Sequence, residues 1–167
     1  MKVIFLDVDG VLNNSRTDEK SPNGYTGVSV SLIRRLRKIV ALTGAEIVLS
    51  SDWRLIRNKR ILDMDYMYLV RKLRFFGNLK IYGHTDDISW SRRGTEIRKY
   101  LEDHPDITDY VVLDDLPFRD FPACNLLNHL VLTDPSDGLT AKDVIRAVKI
   151  LQGESVEPYD SRRFMAD

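Results

Sequence analysis

Residues 2–6, KVIFL, form an almost unbroken apolar run that ends on a carboxylate, Asp7. A strand of this composition needs cover on both faces, which is the situation of a parallel sheet flanked by helices. The pattern then alternates. Leu32, Ile33, Leu36, Ile39 and Val40 recur at helical spacing, with Gly44 as a stop. Ile47–Leu49 is a second short strand, ending in Ser50 and Ser51. A helix is expected over about residues 60–76, with Ile61, Leu62, Tyr66, Leu69, Val70 and Leu73 as its stripe and Gly77 as its end. A short strand over Leu79–Tyr82 and a polar loop over 83–92 lead to a helix carrying Ile97, Tyr100 and Leu101, closed by Pro105. Val111–Leu113 and Leu130–Leu132 are further buried strands, the first ending in Asp114 and Asp115. Thr140 and Asp143 form a capping arrangement for a last helix, with Val144, Ile145, Val148 and Leu151 facing inward and Gly153 ending it. The expected fold is a three-layer α/β/α sandwich on a mainly parallel, Rossmann-like sheet. Asp7, Ser50 and Asp114 should converge at the carboxyl ends of its strands.

Length allows one sizeable core, so residues 1–153 are expected to form one domain and 154–167 a loose tail. No long apolar run interrupts the chain, and its first residues turn acidic too early for a secretory signal; the expectation is a soluble, cytoplasmic protein. A lone cysteine, Cys124, offers neither an internal disulfide nor a zinc set and reads as a small buried hydrophobe. Formal net charge is zero, which argues against wholesale coating of nucleic acid. The charge is unevenly spread, however. Residues 51–100 carry 12 Lys+Arg against 6 Asp+Glu, and residues 101–167 carry 6 against 14. Ordinary solvated helix faces account for such a bias, yet an anionic substrate would meet the middle first.

The segment Asp7-Val8-Asp9-Gly10-Val11 sets two carboxylates two residues apart at a strand end, where the chain can curl round a metal or a phosphate. Alone it is equally a polar turn. With Ser50, the pair Arg92-Arg93 and the pair Asp114-Asp115 following in order, it resembles the four motifs of the haloacid dehalogenase superfamily. More narrowly, FLDVDGVLN, VLSSDWR, RRGTEIRKYL, VVLDD and LTDPSDGLT are similar to the haloacid dehalogenase-like domain of Swiss Army Knife RNA repair proteins, over most of residues 2–151.

That resemblance implies a Mg²⁺-dependent phosphatase working through an aspartyl-phosphate. Asp7 would be the nucleophile and Asp9 the acid and base, with Asp7, Asp114 and the Asp9 carbonyl as metal ligands. Asp115 would reach the metal through water; its other reading is a cap, but two adjacent carboxylates repel unless a cation lies between them. Ser50 and the Ser51 N–H would hold phosphoryl oxygens. A cation from Arg92 or Arg93 would balance them, with Arg93 preferred because it stands where the pattern R-x-x-E-I puts its basic residue. Arg54 could touch a bound or flanking phosphate or form a structural salt bridge, and Arg92 could contact substrate or face solvent. The three histidines show no ligand spacing; Trp53 and Trp90 could stack on a base or anchor packing.

Superfamily members select substrates with cap insertions, and the stretches available here, 13–27 and 55–90, leave room for a minimal cap or none. An open site suits a large substrate such as a nucleic-acid end. Removal of a terminal phosphate from a polynucleotide or nucleotide is therefore the leading expectation. The alternatives are a phosphoprotein or small-metabolite phosphatase and a non-enzymatic binding module on the same fold.

Overall fold

The computed structural model describes residues 1–54, 64–88 and 92–165. Among these residues five strands form one wholly parallel sheet: β1 (Lys2–Leu6), β2 (Glu46–Leu49), β3 (Ile81–His84), β4 (Asp109–Asp114) and β5 (Leu130–Leu132). Their spatial order is β3-β2-β1-β4-β5, so β1 is central and the order reverses beside it. Four α-helices cover the sheet among the described residues: α1 (Val30–Thr43), α2 (Met64–Lys72), α3 (Arg93–Asp103) and α4 (Ala141–Leu151).

Strand alternation divides the core into two layers. Ile4 and Leu6 of β1 stand in register with Ile47 and Leu49 of β2 and with Val111 and Leu113 of β4. These side chains meet α1, α2 and α4 in one cluster, whereas Val3, Phe5, Val48 and Val112 meet Ile97 of α3 on the opposite face. The β1 run is apolar throughout because both clusters use it. No helix among the described residues is long and apolar enough to cross a membrane.

Local chemistry sets the helix ends. Gly44 takes a left-handed φ of 69° and its N–H closes α1 on the Val40 carbonyl. Thr140 and Asp143 make the expected reciprocal capping box of α4. Three expectations need correction. The helix expected over 60–76 is α2 followed by a π-helical turn, Leu73–Gly77, ended by Asn78 at φ 51°; Ile61 and Leu62 lie outside the described residues. The following strand starts later than expected, at Ile81, because the Leu79 N–H bonds back to Leu73 and its side chain plugs the larger cluster. Ile145 is exposed, and Ala147 and Ile150 take its place in the core face of α4.

Residues beyond Glu154 are not loose throughout. A 3₁₀ turn, Ser161–Phe164, places Phe164 at 1% exposure among Phe121 and its neighbours, and the Tyr159 hydroxyl accepts from the Leu132 N–H. Phe164→Ala is therefore expected to destabilise the fold by about 3–5 kcal/mol, the range for emptying a buried aromatic site. Urea denaturation measures it; a change below about 0.5 kcal/mol would mean that the segment does not pack in solution.

Candidate active site

Register carries four polar residues to one edge. Beyond β1, β2 and β5 the parallel ladder runs on by one residue, level with Asp114 at the end of β4: the Asp7 N–H donates to the Leu113 carbonyl, the Ser50 N–H to that of Leu6 and the Thr133 N–H to that of Asp114, at 2.8–2.9 Å. The sheet therefore fixes the backbone under Asp7, Ser50, Asp114 and Thr133, at the strand ends beside the reversal of order.

The turn after Asp7 depends on Gly10. Its φ is 66°, and a Cβ there would lie 2.3 Å from an Asp115 carboxylate oxygen, so both conformation and space require glycine. Thr133 Oγ1 donates to the Gly10 carbonyl at 2.8 Å. Asn13 ties the turn from the other side, accepting from the Gly10 N–H at 2.9 Å and donating to Asp9 at 2.8 Å. The other Asp9 oxygen accepts from the Trp53 indole N–H at 2.9 Å. Two directional donors thus hold an exposed carboxylate in one orientation.

Asp7, Asp114 and Asp115 each bring a carboxylate oxygen within 4.8 Å of the others. Asp7 and Asp114 are buried and Asp115 is half-buried. Burial pushes Asp7 up to about 6, against the pull of Arg93, of a Ser51 side-chain hydrogen bond and of the Val8 N–H, with Asp115 adding to the rise. Asp114 is driven well above the ordinary carboxylate range by burial and then by the charge of Asp7, with Arg93 and the Leu116 N–H opposing. Burial also raises Asp115. Three carboxylates that resist ionisation together make a donor set matched to a hard divalent cation, which prefers oxygen ligands and relieves this repulsion. The Asp9 carboxylate is outside this cluster.

Arg93 is a cation whose charge reaches all three acids. Its Nε lies 3.6 Å from Asp114 and its guanidinium sits 5.2 Å from the Phe118 ring centroid. A neighbouring loop sets its position: Asp120 accepts from the Gly94 and Thr95 N–H groups and so caps the first turn of α3. Arg92 is exposed on a cleft with Thr95 and Phe118. Arg54 is buried and paired with Glu96 at 2.9 Å and with Asp87 at 3.5 Å, joining the segment after β2 to α3. Among the described residues the Ser50 hydroxyl, Arg93 Nη1 and Arg54 Nε and Nη1 are all buried without a hydrogen-bond partner. Buried donors in that state are costly unless a ligand completes them. Sequence reasoning gave no role to Asn13 or Thr133 and read Trp53 only as a base-stacking or packing residue, although all three lie inside the motif strings; their partners are 4, 44 and 123 residues away. Trp90 lies outside the described residues.

A family model described as the HAD domain in Swiss Army Knife RNA repair proteins matches residues 3–144. The chain belongs to this family. Membership in this HAD family points to phosphohydrolase chemistry, and the buried acid cluster stands at the strand ends where such chemistry needs it. No curated protein and no solved structure matches the chain.

Because Trp53 supports Asp9 from the far side of the turn, Trp53→Phe is expected to lower kcat about 10-fold. Losing one hydrogen bond to a charged group costs roughly 1.5–3 kcal/mol. KM for p-nitrophenyl phosphate should change less than kcat, and an unchanged thermal midpoint would separate this positioning role from simple loss of packing.

Proposed function

We propose that the protein is a Mg²⁺-dependent phosphohydrolase that removes a terminal phosphate from a polynucleotide or nucleotide through an aspartyl-phosphate on Asp7. The observation that supports this most is the juxtaposition of a buried carboxylate cluster with unpartnered donors. Asp7 lies with Asp114 and Asp115, and the Ser50 hydroxyl and Arg93 Nη1 are buried with no hydrogen-bond partner among the described residues.

In this reading an Asp7 carboxylate oxygen attacks phosphorus while Ser50, the Ser51 N–H and Arg93 hold the non-bridging oxygens. The bond from phosphorus to the leaving oxygen breaks, and Asp9 gives that oxygen its proton. Asp9, now a carboxylate, takes a proton from the water that attacks the phosphoryl group, and Asp7 is released with inorganic phosphate. Asp7, Asp114 and the Asp9 carbonyl would hold Mg²⁺, with Asp115 acting through water. When bound, the ion supplies Lewis-acid neutralisation of nucleophile and phosphoryl charge. Arg92 and the free nitrogens of Arg54 are the candidate contacts to the rest of the substrate.

Large substrates fit because, among the described residues, no segment forms a separate cap. Residues 13–27 hold only turns and one isolated bridge, and α2 and β3 belong to the core layers. The test is phosphate release from end-phosphorylated oligonucleotides, mononucleotides, phosphopeptides and sugar phosphates, with and without Mg²⁺ after chelator treatment. Oligonucleotide ends should give the highest kcat/KM. Equal or better turnover of phosphopeptides or sugar phosphates would replace the substrate, and no Mg²⁺-dependent release from any of them would defeat the reading.

A further inference from the structure

The π-helical turn after α2 presents an aromatic surface of which Phe76 and Tyr68 pack in part against the larger core cluster and Phe75 does not. Phe75 is 83% exposed and packs edge-on against Phe76 at 4.9 Å, while the core stripe of this segment is Leu69 and Leu73. With Tyr68, Arg71, Lys72 and Arg74 these rings line an open cleft of about 480 Å³. Lys72 is paired with Glu19 and lies over the Tyr68 and Phe76 rings, 5.5 and 5.1 Å from their centroids. Arg71, Arg74 and Lys80 are exposed and form no ion pair among the described residues. Asp65, the one acid in residues 64–80, is engaged by Asn23.

A line of contacts joins this surface to the candidate active site. The Trp53 indole binds Asp9, the Trp53 and Tyr68 rings are 6.4 Å apart, and Tyr68 leads through Lys72 to Phe76 and Phe75. Aromatic faces with free guanidinium groups beside them, along a path to a phosphate-handling site, match one class of ligand. Bases stack on the rings and backbone phosphates pair with the cations, whatever the sequence.

We propose that the Phe75–Phe76 turn, with Arg71 and Arg74, is the binding track for the single-stranded part of a polynucleotide whose phosphorylated end lies at Asp7. This deepens the phosphohydrolase reading and rests on it for the position of the strand's end. Unpaired strands are specified because stacking on Phe75 needs an accessible base face, which a duplex hides.

The experiment measures binding of fluorescein-labelled 12-mers, oligo(U) and oligo(dT), to the full chain in chelator, and separately measures turnover with Mg²⁺. Phe75→Ala should weaken 12-mer binding about 10- to 100-fold, from the usual value of one stacked base. It should leave p-nitrophenyl phosphate turnover unchanged. Arg71→Gln with Arg74→Gln should flatten the slope of log affinity against log salt by about 1.4, two phosphates' worth on a single strand. Phe75→Trp should retain binding. Affinity within twofold of the parent for Phe75→Ala, an unchanged salt slope, or tighter binding of a duplex or an acidic peptide than of the single strand would each overturn the proposal. The two readings fail separately. Absent turnover of every phosphoester with intact, Phe75-dependent strand binding defeats the phosphohydrolase and leaves the track, whereas normal turnover with Phe75-independent binding does the reverse.

Discussion

Asp7→Asn is expected to abolish phosphate release, by at least about 10⁴-fold in kcat, the scale on which deleting a nucleophile acts. The amide is almost the same shape as the carboxylate and fills the same buried site, but its nitrogen and oxygen are too weakly nucleophilic to displace an alkoxide from phosphorus. The same substitution is expected to stabilise the metal-free fold at neutral pH. Burial holds the Asp7 carboxyl at about 6 in the folded protein, above its ordinary value near 3.8. A raised carboxyl contributes stability that is full below the unfolded value and is lost as pH rises through the folded one. The parent should therefore lose stability relative to Asp7→Asn between about pH 4 and pH 6 and stay below it at pH 7.5. Thermal melts in chelator across that range read the difference. Opposite movement of activity and stability is what a functional carboxylate in an unfavourable site produces. Residual activity above a few per cent, with the melts confirming a folded protein, would remove Asp7 from the nucleophile's role.

Much of this arrangement is legible in sequence because the strands announce themselves. KVIFL, IVL and VVL are apolar on both faces since both core clusters draw on them, and a carboxylate or hydroxyl directly after such a run stands at the strand's exposed end. The capping box at Thr140 is equally plain, being a local matter of the four residues Thr140–Asp143. Helical periodicity does less well where the chain departs from 3.6 residues per turn. The π-helical turn at Leu73–Gly77 shifts the later pattern, and the folded-back Leu79 delays β3 to Ile81. Ile145 misleads because a β-branched apolar residue beside Val144 fits the stripe on paper while the helix turns it outward. The supports of the site are hidden for a different reason. Trp53 reaches Asp9, Thr133 reaches Gly10 and Asp120 caps α3 through hydrogen bonds that exist only once strands from distant parts of the chain lie side by side. The same holds for Arg54, whose charge is visible in sequence but whose partner, Glu96, is supplied by another element.

Asp114→Asn is expected to weaken Mg²⁺ affinity and turnover together, with loss of turnover of roughly 10³-fold at subsaturating Mg²⁺, and Asp115→Asn is expected to cost roughly 10- to 100-fold, the range for a group acting on a ligand from the outer shell. The two carboxylates are adjacent in sequence and unequal in structure. Asp114 is 1% exposed, stands at the end of β4 within the acid cluster, and accepts from the Leu116 N–H on one oxygen while the other faces Arg93. Asp115 is half-buried, lies against Gly10 and feels Asp9 as well as Arg93. Removing the more buried charge takes away the ligand that water replaces least easily, and it also frees Arg93, whose Nε is 3.6 Å from that carboxylate. The free guanidinium then competes with any cation for Asp7, which deepens the metal defect beyond the loss of one ligand. Excess Mg²⁺ should therefore rescue Asp115→Asn to near parental kcat and rescue Asp114→Asn only in part. Titration of chelator-treated protein with Mg²⁺, following both phosphate release and thermal midpoint, separates affinity from chemistry. Full activity without divalent metal, or a larger metal defect in Asp115→Asn than in Asp114→Asn, would reverse the ligand order and make Asp115 the direct partner of the ion.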